Sequence, residues 1–238
     1  MPFIRALLFN VLFWTITFTL SLMVIIFRPF GLKVSYAIGK SWSRINMFLL
    51  NLICGISYEV DIRGELPKSP SIYISNHQSA WETIAFPSFI PPFMWVLKKE
   101  LFKIPIFGWC LIVLGHIGID RKSGSKSIKK INEKGKEILG RGYNIVIFPE
   151  GTRSVPGELG QFNPGGVSLA LNSGVPIVPV IHNAGRLWGR QAFGKESGKI
   201  SVIIEEAIPT EGVSPSERKK INQKVRDIIE SGIKEIGG

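Results

Sequence analysis

The sequence predicts an α/β fold: a mixed sheet flanked by helices, with an N-terminal two-helix membrane anchor. Three observations predict it. The first 57 residues are apolar and carry no acid. From Tyr58 onward, short β-branched runs alternate with amphipathic stretches, the pattern of strands interleaved with helices. Prolines and glycines punctuate the junctions between them.

The 238 residues suffice for one domain with a full core plus an appendage. The natural division is residues 1–57 as membrane-anchoring helices and 58–238 as the α/β domain. All 18 acidic residues lie from Glu59 onward, and the chain carries a net charge of +11. Such an excess suits nucleic acid, an anionic membrane surface or phosphorylated ligands. No basic stripe with exposed aromatics and no nucleic-acid motif is present, which argues against nucleic acid. Basic residues flanking apolar helices favour an anionic membrane surface. Cys54 and Cys110 lie among apolar residues without metal-ligand spacing, which predicts buried free thiols.

Ala6 to Phe27 is a run of 22 residues without a charge. At helical rise it reaches roughly 33 Å, enough for a hydrocarbon core of about 30 Å. It lacks a small-x-small cleavage site, which argues against a signal peptide. Arg28 and Pro29 end it. A second helix is predicted over about Val34 to Cys54, with Ile38, Trp42, Ile45, Leu49 and Leu52 at helical spacing and Lys40 and Arg44 on another side. Three readings stand for this pair: a spanning helix with an interfacial one, a pair entering one leaflet, or a soluble core hairpin. Either membrane reading puts the rest of the chain on the cytoplasmic side.

Tyr58, Val60 and Ile62 alternate with Glu59, Asp61 and Arg63, the period of a strand. Ser71 to Ser75 reads as a buried strand, and Trp81 to Ser88 as a helix closed by Pro91 and Pro92. Phe93 to Leu97 is the next strand. Leu101 to Leu114, with Pro105 and Gly108, is apolar and suited to a buried position or to contact with lipid. Gly115 to Arg121 is a short strand ending in a charged pair. Ser125 to Leu139 is an amphipathic helix that Gly140 to Gly142 terminates. Tyr143 to Phe148 is a strand and Gly165 to Asn172 a short helix. Val175 to Ile181 reads as a strand interrupted by prolines, and Lys199 to Glu205 as another. Ser214, Pro215 and Glu217 carry the cap chemistry of a last helix running to about Ile236.

Two strand ends carry polar groups that packing does not require. After Ser71 to Ser75 comes Asn76-His77-Gln78-Ser79-Ala80-Trp81-Glu82. Imidazole is suited to general-base work near neutral pH, and a carboxylate beside it fixes its tautomer. Ser79 and Glu82 also fit a capping box, in which Glu82 is structural. Both roles remain open for Glu82. After Tyr143 to Phe148 comes Pro149-Glu150-Gly151-Thr152-Arg153-Ser154. Arg153 offers a planar fork for a phosphate, and Gly151 lets the backbone approach closely. The competing reading is a tight turn with a surface Glu–Arg pair. No nucleophile elbow, phosphate loop, dinucleotide fingerprint or metal-binding spacing appears. His116 and His182 sit in apolar runs and read as structural histidines.

As a set these blocks resemble the glycerolipid acyltransferase family, specifically 1-acyl-sn-glycerol-3-phosphate acyltransferases of the bacterial type. That family has an Asn-His-x-x-x-x-Asp block, here Asn76-His77 through Glu82. Its second block ends in an arginine after a short strand, here Ile119-Asp120-Arg121. Its third block stands unchanged as Phe148 to Ser154. Its fourth is a proline-bearing strand, here Val175 to Val180. The resemblance covers about residues 55–210. Glu82 replaces the commoner Asp, and Phe162 to Gly166 lacks the lysine often found before the glycine pair.

The resemblance implies an enzyme that makes phosphatidic acid for phospholipid biosynthesis. His77 would take the proton of the sn-2 hydroxyl of lysophosphatidic acid, with Glu82 orienting the ring. The oxygen would attack the thioester of acyl-CoA or an acyl carrier protein in one displacement, without a cofactor or metal. Backbone N–H groups at the helix start would hold the oxyanion. Arg153, Lys98 and Arg121 would hold the phosphate within the Gly151–Thr152 turn, and Glu150 would bond the glycerol. The location implied is the bacterial inner membrane, with the catalytic domain cytoplasmic. The rivals are another lysolipid acceptor, a membrane-bound lipid hydrolase in which His77 activates water, and a non-enzymatic membrane adaptor.

Overall fold

The structure, a computed structural model, describes residues 2–120, 123–190 and 193–237. Two antiparallel-running N-terminal helices, α1 (Pro2–Phe27) and α2 (Leu32–Cys54), precede a seven-stranded sheet. The remaining elements are β1 (Ile56–Ile62), β2 (Ile72–Ser75), α3 (Trp81–Phe89), β3 (Phe93–Lys98), α4 (Phe107–Leu114), β4 (Ile117–Ile119), α5 (Ser125–Gly140), β5 (Asn144–Ile147), α6 (Gly165–Ser173), β6 (Ile177–His182), β7 (Gly198–Ile204) and α7 (Arg218–Glu235).

The strand order is β1-β7-β6-β2-β5-β3-β4. Only β6 and β7 pair antiparallel, so the sheet is mixed, as its sequence predicts. The central strands are buried on both faces, which is why they read as continuous apolar runs. Successive residues serve opposite faces. Ile72 and Ile74 join one core with residues of α5, α6 and α7. Tyr73 joins the other with residues of α2 and α3.

The prolines do not interrupt β6. Pro179 lies within the strand, opposite Ile74 of β2, and its carbonyl accepts from Glu205 just beyond β7. The β6–β7 ladder begins only at Val180 opposite Ile204. The missing N–H therefore falls where no ladder bond is needed.

The N-terminal helices are fastened to the domain along their length. Phe9 is fully buried and meets Trp188 edge-on at 5.9 Å. Thr17 accepts a hydrogen bond from the Trp42 indole at 2.9 Å. Arg28 Nε donates to the Val113 carbonyl at 3.2 Å. Ser43 of α2 donates to the Ile84 carbonyl of α3 at 2.5 Å. The opposite face of α1 exposes Phe3, Leu7, Val11, Trp14, Phe18 and Leu22. Of the helices described, α1 is the one long and apolar enough to cross a membrane. The α2 helix is amphipathic, with Lys40 and Arg44 interspersed.

Candidate active site

The central strand β2 ends at Ser75, and its pairing with β6 is extended by a side chain. The Asn76 amide copies a backbone rung: its Nδ2 donates to the His182 carbonyl at 2.8 Å, and its Oδ1 accepts the His182 N–H at 3.1 Å. The Asn76 main chain is thereby free to turn out of the sheet. His182 Nε2 lies 3.0 Å from the Asn76 carbonyl, and its Nδ1 accepts the Ala184 N–H at 3.3 Å. These contacts make Nε2 the protonated nitrogen. Burial holds the ring below the ordinary histidine range. His182 is thus the satisfied, neutral residue its sequence context suggests.

The turn delivers His77 to the top of the sheet, where both its backbone groups are tied. Its N–H donates to Glu150 Oε1 at 2.7 Å, and its carbonyl accepts from the Ser154 N–H at 2.8 Å. The ring stacks on Phe148, with centroids 4.2 Å apart and planes within 12°. Its Nδ1 is 2.7 Å from Glu82 Oε1. The same oxygen accepts the N–H groups of Gln78 at 3.0 Å and Ser79 at 2.9 Å. The two readings of Glu82 therefore hold at once: half of a capping box, and partner of the imidazole. The longer side chain reaches because α3 begins at Trp81, with the intervening turn curled over the carboxylate.

Glu82 is completely buried. Burial alone raises its pKa, but the adjacent His182 and His77 imidazoles and the Ser79 N–H outweigh it, leaving the carboxyl below its usual range. An ionised Glu82 accepts the hydrogen bond of His77 Nδ1–H, which leaves Nε2 as the basic nitrogen.

His77 borders a cavity of about 580 Å³. Its walls come from α1, α2, α3, β3 and α4, with Phe13, Trp42, Ile84, Trp95 and Leu114 among them. The apolar segment Leu101 to Leu114 is a wall of this cavity, and its outer side exposes Trp109 and Ile112. A separate concavity at Arg63 and α7 holds none of these groups.

Thr152 and Arg153 border the cavity, and Lys98 does so from the end of β3. Of the two adjacent lysines, Lys99 is held by Asp120 at 2.5 Å. Lys98 has no carboxylate partner among the described residues. Gly151 adopts a φ of 69°, which a side chain would strain. Arg121 lies outside the described residues.

One expectation needs correction. Glu150 does not face the cavity: Oε1 holds the His77 N–H, while Oε2 accepts from the Ser154 hydroxyl and from the Gly160 N–H at 2.9 Å. With both oxygens engaged and the side chain buried, Glu150 fastens one motif to the other. Three N–H groups around the helix start are engaged within the chain: Gln78 and Ser79 serve Glu82, and the Trp81 N–H serves Ser79 Oγ at 3.1 Å. His116 precedes β4 and borders the cavity, where its Nδ1 accepts the Trp95 N–H at 3.1 Å. Burial pushes its pKa down to about 3, so the ring stays neutral.

Lys40 of α2 and Arg190, beyond β6, also border the cavity. Neither belongs to a block with recognisable spacing, and only folding brings them to His77. The four cations Lys40, Lys98, Arg153 and Arg190 border a cavity that no described carboxylate lines.

A histidine–carboxylate pair at strand ends, bordering an apolar cavity edged by cations, is the kind of arrangement suited to general-base chemistry. The comparisons give this class its family. The acyltransferase family model matches residues 58–183, and the chain belongs to that family. A 1-acyl-sn-glycerol-3-phosphate acyltransferase of Pseudomonas aeruginosa is 36% identical over 98% of this chain and 91% of its own length. The human 1-acyl-sn-glycerol-3-phosphate acyltransferase alpha is 27% identical over 81% of this chain and 70% of its own. The crystal structure of a 1-acyl-sn-glycerophosphate acyltransferase from Thermotoga maritima superposes with a TM-score of 0.79, covering 100% of this chain and 98% of that one at 22% identity. That likeness bears on the fold.

Proposed function

We propose that the protein transfers an acyl chain from acyl-CoA or an acyl carrier protein to the sn-2 hydroxyl of 1-acyl-glycerol-3-phosphate, giving phosphatidic acid. The observation that carries this is the His77–Glu82 contact of 2.7 Å, with the imidazole bordering the apolar, cation-edged cavity. The names of the relatives support the acceptor.

In this reading His77 Nε2 takes the hydroxyl proton as the oxygen attacks the thioester carbon. Glu82 supports the imidazolium that forms. The tetrahedral intermediate then collapses, the C–S bond breaks, and the thiolate takes the proton back from Nε2. Arg153 and Lys98 hold the phosphate. The apolar walls take an acyl chain, and closing them around the chain keeps water from the thioester.

The N-terminal pair serves as the membrane anchor, embedding in one leaflet of an anionic membrane; a bacterial inner membrane with the domain cytoplasmic fits. The exposed apolar face of α1 supports insertion, and its end-to-end fastening supports a helix that lies beside the domain instead of leaving it to span.

The test supplies purified protein with lysophosphatidic acid and a labelled acyl thioester. Wild type should form phosphatidic acid, and His77→Ala should lose on the order of 100-fold or more in rate. A near-normal rate in His77→Ala sinks the mechanism. Offering acyl-CoA and acyl carrier protein side by side decides the donor.

A further inference from the structure

Arg190 and Arg153 border the same cavity as His77. They are also joined: Arg153 Nη1 donates to the Arg190 carbonyl at 3.3 Å. Neither has a carboxylate partner among the described residues, in contrast to Arg63, which meets Asp61, Glu205 and Glu235. Two guanidinium groups held at one cavity without a counter-charge repel each other. A doubly charged anion between them reverses the sign.

A phosphate monoester is that anion. Its second ionisation lies near pH 6, so it approaches two charges at neutral pH. It also presents three free oxygens, enough for two planar forks. A phosphodiester carries one charge and two free oxygens.

We infer that Arg190 and Arg153 together form a two-guanidinium site that selects a terminal phosphomonoester over a phosphodiester head group. The inference rests on the lysophosphatidic acid reading above and adds the residue that sets head-group choice. Arg190 thus contributes twice: its carbonyl aims Arg153, and its own side chain supplies the second fork.

The experiment measures kcat and KM for wild type, Arg190→Gln and Arg190→Lys. The acceptors are lysophosphatidic acid and lysophosphatidylglycerol, a diester. Substitution removes the side chain and leaves the carbonyl that holds Arg153. Arg190→Gln should raise KM for the monoester on the order of tenfold or more, with little change for the diester. Arg190→Lys should recover part of the loss, because charge returns without the fork. Equal changes on both acceptors, or none, overturn the inference. Acyl-CoA itself carries a phosphomonoester, so its KM is measured too. A rise confined to the donor assigns Arg190 to the donor and also overturns it. Failure of the underlying reading is visible in wild type alone, as no preference for the monoester or no acyl transfer. Failure of the inference shows only in the variants.

Discussion

At the scale of single residues, Glu82 does two jobs with one oxygen. Oε1 aligns the His77 ring and gathers two backbone N–H groups of the turn before α3. Glu82→Gln keeps an acceptor oxygen for those N–H groups but loses the charge that supports an imidazolium. Its rate should fall on the order of 100-fold, measured with the labelled thioester, while the protein stays folded. A near-normal rate would leave Glu82 with the capping role alone. The carboxyl is held low in the folded state, against about 4.3 when unfolded. Its stabilising contribution is therefore present above that pH and is lost as pH falls through the folded value. Gln does not titrate. The difference in urea midpoint between wild type and Glu82→Gln should shrink between about pH 6 and about pH 3. A constant difference would show that ionisation of Glu82 does not contribute. The position of His77 was legible from its place after a buried run, and the pairing with Glu82 from a spacing of five residues. The occupation of Glu150 was not, since a carboxylate in a turn reads alike whether it faces a ligand or the chain.

At the scale of elements, α4 and its preceding turn form one wall of the cavity. Gly108 is the second residue of α4, and a Cβ there would lie 2.5 Å from the Phe102 carbonyl oxygen and 2.6 Å from that of Leu101. Both are backbone atoms and cannot rotate away. Gly108→Ala should cost roughly 1–3 kcal/mol, as overpacking does, read as a lower melting temperature in detergent. An unchanged melting temperature would mean the turn adapts freely. The strands and helices were readable from periodicity because each buries one face or two. The continuity of β6 through Pro179 was not, because it depends on which neighbour needs that N–H. The apolar segment Leu101 to Leu114 was ambiguous for a similar reason. Its composition suits a core, a lipid surface or a ligand wall, and α4 presents faces to the cavity and to solvent.

At the scale of the molecule, the N-terminal helices are packed into the fold of the α/β domain. Phe9 and Val24 of α1 enter the two cores, and Phe13 and Trp14 border the cavity. For a helix fastened near both ends to one domain, the expectation is that both ends lie on one side of a bilayer. Single cysteines introduced near the start of α1 and at Phe30, in a Cys54→Ala, Cys110→Ala background, test this in sealed vesicles. An impermeant thiol reagent should reach both positions from the domain's side. Labelling of the two ends from opposite sides would establish a spanning helix.

Sequence alone determined the α/β class, the apolar N-terminal helix and the two polar blocks at strand ends. Each of these is written in local periodicity or in adjacent residues. Tertiary structure decided which of those polar groups meet the cavity, that Glu150 ties the blocks together, and that Lys40 and Arg190 join Arg153 and Lys98. Those outcomes depend on distant segments crossing one another: β2 lies between β5 and β6, so the loops after all three converge on His77.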